Sequence, residues 1–140
     1  MSDPQLGEAL HQLMHAYKRA LRRAYRSAGL ELSVSHIRAL KAVRTLSPCT
    51  AQHISQRTQR DKAQITRLMK DLLTADMIAR APHPDDRRSQ ILSLTPTGSD
   101  LLARIDASER HVHTELAQRL NDDDLNAFIR LSRLMIDNLR

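Results

Sequence analysis

This chain has no tryptophan, one phenylalanine and two tyrosines in 140 residues. Its core must be built from Leu, Ile, Val, Met and Ala, which favours packed helices. Three glycines and five prolines leave little loop and no low-complexity linker. A single cysteine, Cys49, excludes an internal disulfide. The start, MSDPQLGEALHQ, lacks the charged-then-apolar pattern of a signal peptide, so a reducing cytoplasm is the expected location. No apolar run is long enough to cross a bilayer, and no membrane partner is expected. There is no Gly-rich phosphate loop, nucleophile elbow or catalytic metal set, so neither an enzyme nor a cofactor is expected.

Positive charge is plentiful. The formal net charge is +6 and the isoelectric point is near 10.2. That balance suggests a polyanionic partner, nucleic acid first and an acidic membrane surface second. A chain of this length forms one domain.

Asp3-Pro4 opens a long amphipathic helix with Leu6, Leu10, Leu13, Tyr17, Ala20 and Ala24 in steps of three and four; Gly29 stops it. A second helix runs from Ser33 or Ser35 to Leu46, with Ile37, Leu40 and Val43 inward, and Ser47-Pro48 breaks it. Thr50 caps a short helix that carries Ile54. Asp61, with Gln64 three residues on, starts a helix whose apolar stripe is Ile65, Leu68, Met69, Leu72 and Leu73. A hairpin follows, Met77–Arg80 paired with Ile91–Thr95. Thr95-Pro96 then starts a helix reaching to about Leu120, and Asn121 caps a last one through Leu125, Phe128, Leu131, Met135 and Leu139.

The helix after Asp61 has a small, polar, positive outer face. Ala63, Arg67 and Lys70 lie opposite the apolar stripe, flanked by Lys62, Gln64 and Thr66. Arg67 could pair with guanine or a phosphate, Gln64 with adenine, and Thr66 with a phosphate or a thymine methyl. Residues 57–70 hold five basic residues against one acid. A solvated helix face is the plain alternative. Beyond the helix, HPDDRRSQILSLTPTG packs turn residues and charge at one end and an alternating strand at the other.

The stretches DKAQITRLMKDLLTADMIAR and HPDDRRSQILSLTPTG resemble the MarR family of winged helix–turn–helix regulators. The carriers are Asp86-Arg87-Arg88, an Asp-x-Arg element, and the strand ending in Leu94-Thr95-Pro96-Thr97-Gly98. The resemblance implies a mainly α fold with a small β-hairpin wing. A winged helix–turn–helix lobe would sit between N- and C-terminal dimerisation helices. Residues 1–140 would be one MarR-like domain: helices over 1–46, the winged lobe over 47–97, and helices over 98–140 that dimerise with 1–30. It further implies that Asp86 braces the wing by pairing with Arg88 and that Arg88 enters the minor groove, with Arg87 beside it taking phosphate or sharing the groove. A narrow minor groove attracts arginine in the same way. The chain departs from the family where a glycine usually precedes the first wing strand. Asp76 stands there and would have to take the left-handed conformation.

A dimeric regulator of this kind binds a pseudo-palindromic double-stranded operator. It is expected to act as a homodimeric repressor relieved by a small phenolic or anionic aromatic effector. Candidate ligand-lining residues are Tyr17, Tyr25, His36 and Arg38, although interface packing with wet hydroxyls is the favoured reading of both tyrosines. Cys49, just before a helix start, raises a redox alternative. His11 and His15, one turn apart, raise a metal-responsive one, but no complete ligand set is visible. From another class, the basic face could serve a helical protein-interaction module with an acidic partner. The run KRALRRAYR (18–26) is read as the solvent face of the first helix.

Overall fold

Helix boundaries in this protein are written in short polar side chains. The structure, a computed structural model, describes residues 3–140. Its helices are α1 (Asp3–Ser27), α2 (Val34–Leu46), α3 (Ala51–Thr58), α4 (Lys62–Thr74), α5 (Pro96–Leu116) and α6 (Asp122–Asn138). Each helix from α2 onward starts at a side-chain oxygen that accepts an otherwise unpartnered backbone N–H. Ser33 accepts from the amide of His36, Thr50 from that of His53, Asp61 from that of Gln64, Thr95 from that of Gly98, and Asn121 from that of Asp124. At α6 the exchange is mutual, because the Asp124 carboxylate accepts from the Asn121 amide.

Strands β1 (Ile78–Pro82) and β2 (Gln90–Leu94) form an antiparallel hairpin in which Ile78 faces Leu94 and Pro82 faces Gln90. Cys49 adds a third rung: its amide donates to the Leu92 carbonyl at 3.2 Å, and the Leu92 amide donates back at 2.7 Å. This ties the α2–α3 connection to the wing, a link the two-strand expectation lacked. Asp76 does take the left-handed conformation, at φ 59°.

The core runs between α2, α4, the hairpin and α5. Ile37, Leu40, Val43, Ile54, Ile65, Leu72, Ile78, Leu102 and Ile105 are fully buried. The principal packed pairs are α1 with α5, α2 with α3, α4 and α5, and α3 with α4; α6 takes no part in them. Ion pairs fasten α2 to α5, with Lys41 on Glu109 and Arg44 on Asp106.

Helix α5 ends at Leu116, short of the expected Leu120. Arg119 turns left-handed at φ 69°, the Leu120 amide donates back to Ala117, and the chain straightens so that Asn121 can cap α6. Sequence periodicity runs on through such a turn and does not mark it. Helix α6 buries none of its side chains within the protomer.

The Leu94-Thr-Pro-Thr-Gly98 segment locks the wing to α5. The Thr95 hydroxyl donates to the Asp76 carbonyl at 2.6 Å and accepts from the Gly98 amide at 3.0 Å. A Cβ on Gly98 would lie 2.0 Å from the Met77 carbonyl oxygen, closer than any contact allows. Gly98→Ala should therefore push the wing off α5 and destabilise the fold by about 1–3 kcal/mol or more. A urea titration reads this directly; an unshifted midpoint would show that no close approach exists there.

Candidate nucleic-acid interface

Helix α4 sorts its side chains cleanly. Ile65, Leu68, Met69 and Leu72 are buried, while Lys62, Ala63, Gln64, Thr66, Arg67 and Lys70 are all exposed. Among the described residues Lys62, Arg67 and Lys70 form no ion pair, so their charge is unspent. Thr66 donates its hydroxyl proton to the Lys62 carbonyl at 2.8 Å, which leaves its oxygen as an acceptor and its methyl for apolar contact. Asp71, one turn beyond Arg67, is held by His36 Nε2 at 2.8 Å. That pairing turns the carboxylate toward α2.

The hairpin tip presents Asp86, Arg87 and Arg88, all exposed. The expected pairing of the Asp86 carboxylate with the Arg88 side chain is not what forms. Oδ1 accepts from the Arg88 backbone amide at 2.9 Å, and Oδ2 accepts from the Ser89 hydroxyl at 3.1 Å. Asp86 thus braces the turn through the backbone, and the Arg88 guanidinium makes no ion pair among the described residues. The reason is geometric: a carboxylate two residues before an amide closes a local turn without ordering a long side chain. The Arg88 amide, then the Ser89 hydroxyl, hold the Asp86 carboxyl below the usual carboxylate range. The brace belongs to the ionised form, so it persists through neutral and mildly acidic pH and is lost only as pH falls through that lowered value.

Between α4, the start of α3 and the hairpin lies an open cleft of about 910 Å³. Lys62, Thr66 and Lys70 line it from α4, and Arg80, Arg87 and Arg88 from the hairpin; among the described residues no carboxylate lines it. Five cations converge on a surface with no opposing charge, which favours a polyanion. Arg80 was missed in the sequence. The two-residue strand period would have found it, since Arg80 follows the buried Ile78 on the same face and pairs across the sheet with Leu92.

The candidate ligand residues divide. Tyr25 is buried at 3% exposure, and its hydroxyl donates to Glu109 Oε1 at 2.7 Å. Tyr17 is half-buried, with its hydroxyl 3.0 Å from His113 Nε2 and its ring stacked on that imidazole. Burial, then the Glu109 charge, raise the Tyr17 hydroxyl above its ordinary value, and Arg38 opposes them. Burial, then the Glu109 hydrogen bond, push Tyr25 up further, again against Arg38. Tyr17, Tyr25 and Arg38 therefore share one environment, centred on Glu109 with Lys41 beside it. His36 turns instead to α4. Lys41 and Glu109 had no local signal, because their partners lie tens of residues away in the chain. A second cavity of about 550 Å³, between α1 and α5, is lined by Arg23, Arg104, His111 and Glu115 and contains none of the four ligand candidates.

Cys49 is fully buried, and burial pushes its thiol up, away from the reactive thiolate. His11 and His15 are exposed, and among the described residues no three His, Cys, Asp or Glu side chains converge as a metal site. Among the described residues no helix is long and apolar enough to cross a membrane.

Comparison with known proteins agrees with this geometry. Residues 29–89 match the family model described as the MarR family. The HTH-type transcriptional repressor NicR of Pseudomonas putida is 29% identical over 99 residues, which cover 71% of this chain and 63% of NicR. A mutant MarR from E. coli complexed with operator DNA superposes with a TM-score of 0.81 at 21% identity, over 94% of this chain and 93% of that one. Bordetella bronchiseptica BpsR, in a study of its regulation of DNA binding by 6-hydroxynicotinic acid, superposes with a TM-score of 0.83 at 21% identity, over 94% and 92%. The family match covers the capped helix pair and the wing arginines, and the likeness in fold extends through the helices on either side. Residues 29–89 of the chain are thus similar to the MarR family, and its fold is similar to that of the winged helix–turn–helix structures it superposes on.

Proposed function

We propose that the chain is a homodimeric repressor that binds a pseudo-palindromic operator and is released by a small aromatic ligand. The observation that carries the reading is the carboxylate-free face on which the α4 cations and the wing arginines converge. Lys62, Ala63, Gln64, Thr66, Arg67 and Lys70 form the major-groove surface. The N-terminal half of such a helix is what reaches base edges. Arg88 enters the flanking minor groove, Arg87 takes phosphate beside it, and Asp86 holds both in place.

Dimerisation is supported by the apolar surface left open at the two ends of the chain. Leu6, Leu10 and Leu13 on α1 and Phe128, Leu131, Leu134 and Met135 on α6 are exposed. A second copy buries such faces most economically, with 98–140 meeting 1–30. Residues 1–46, 47–97 and 98–140 then act as one domain. Tyr17, Tyr25 and Arg38, with His36 at the head of α2, line the ligand side. The repressor role of NicR and the 6-hydroxynicotinic acid response of BpsR support this assignment by analogy. The dimer works in the cytoplasm, where the operator is.

The test is duplex binding against salt, with an operator taken from genomic fragments that the protein selects. Association should weaken steeply, with a log–log slope of about −0.9 for each phosphate neutralised. A flat salt response, or equal competition from an acidic polypeptide, would overturn the reading in favour of a protein-interaction module.

A further inference from the structure

The wing has a second organiser besides Asp86. His83 ends the β1 side of the tip, and its ring curls back over the turn. Nδ1 accepts from the Asp85 amide at 3.0 Å and from the Asp86 amide at 3.1 Å. Pro84 between them has no N–H, so these are the first two amides the turn can offer. The His83 amide donates to the Ser89 carbonyl, and the Ser89 amide donates to the Asp86 carbonyl. The imidazole, the Asp86 carboxylate and these two backbone bonds close the loop that projects Arg87 and Arg88.

An imidazole nitrogen can accept only while it carries no proton. Both amides need Nδ1 unprotonated, with the ring proton on Nε2. Protonating the ring turns the acceptor into a donor aimed at two other donors. We infer that His83 is a positioning residue for DNA binding: its neutral ring holds the wing arginines in place, and mild acid releases them. The inference rests on the proposed role of the wing in DNA binding.

The charged groups around the ring come from the hairpin. Asp85 and Asp86 lie on the turn, Arg87 and Arg88 beyond them and Arg80 on β1; Ser89, just before β2, and Gln90, at its start, are not ionisable. Asp86 stays ionised throughout the interval in which an imidazole titrates, because its own proton affinity is lowered. Acid in that interval therefore strikes the His83 contacts and spares the Asp86 brace.

The decisive comparison is between the parent protein and His83→Asn. An asparagine side-chain oxygen reaches the same two amides and does not titrate. From about pH 7.5 to about pH 5.5 the parent should lose roughly tenfold more operator affinity than His83→Asn. The other six histidines are common to both proteins, so the comparison isolates position 83. His83→Ala should bind weakly at both pH values. The inference is overturned if His83→Asn follows the parent across the range, or if His83→Ala binds as tightly as the parent at neutral pH. A readout without DNA separates this from the wing assignment itself. In the free protein, the Asp85 and Asp86 amide resonances should move in step with the His83 ring. If they move while operator affinity does not, the wing's place on DNA is at fault; if they stay fixed, His83 is not the switch.

Discussion

Removing the Arg88 side chain should cost roughly 30-fold in operator affinity and leave the fold and dimer untouched. A well-placed arginine contact is worth about 1 kcal/mol or more, and a symmetric dimer loses two of them. Arg88 makes no ion pair within the protein among the described residues, so its deletion leaves no carboxylate unpartnered. The Asp86 brace runs to the Arg88 backbone and survives the substitution. Arg67→Ala should match it in size but not in character. If Arg67 meets base edges, as proposed, its loss should relax preference at one operator position, whereas a wing contact should be lost on all A/T-rich flanks. Fluorescence anisotropy on the selected operator and on point-substituted versions measures both. Undiminished binding by both variants would remove α4 and the wing from the interface.

The larger effect is expected from α6. Phe128 is 54% exposed and Leu134 51%, on a helix that buries nothing within its own protomer. Leu131→Glu with Met135→Glu places two charges, one turn apart, on the surface assigned to the second copy. A buried unpaired carboxylate is costly enough to separate the subunits. Both side chains are exposed and stand outside the buried core, so the protomer's helical signal should be retained. Two half-sites would then be bound independently, and the loss of linkage should weaken operator binding by about 10²–10⁴. Sedimentation equilibrium distinguishes the outcomes. A double variant that stays dimeric would mean that α6 faces something other than its copy.

Much of this molecule could be read from side-chain type alone, wherever the physics is local. Ser33, Thr50, Asp61, Thr95 and Asn121 mark helix starts because a short oxygen reaches an amide three residues ahead. The outer face of α4 follows from a period of 3.6 residues, and Asp76 from the tolerance of Asp for positive φ. What could not be read depends on choices that spacing leaves open. The Asp86 carboxylate had two groups of Arg88 within reach, and only three-dimensional geometry selects the amide over the guanidinium. Glu109 gathers Tyr25 and Lys41 from α1 and α2, 84 and 68 residues away, so nothing near it in the chain announces its role. Cys49 looked like a residue before a helix; it proved to be a rung of the wing.

Hydroxyl-radical footprinting on the selected operator tests the central claim most directly. Two copies that each place α4 in a major groove and Arg88 in the adjoining minor groove should leave a two-fold symmetric pattern. Its halves should be centred about one helical turn apart, with outer minor-groove protections that vanish in Arg88→Ala. A single unsymmetric patch, or outer protections that persist without Arg88, would contradict it.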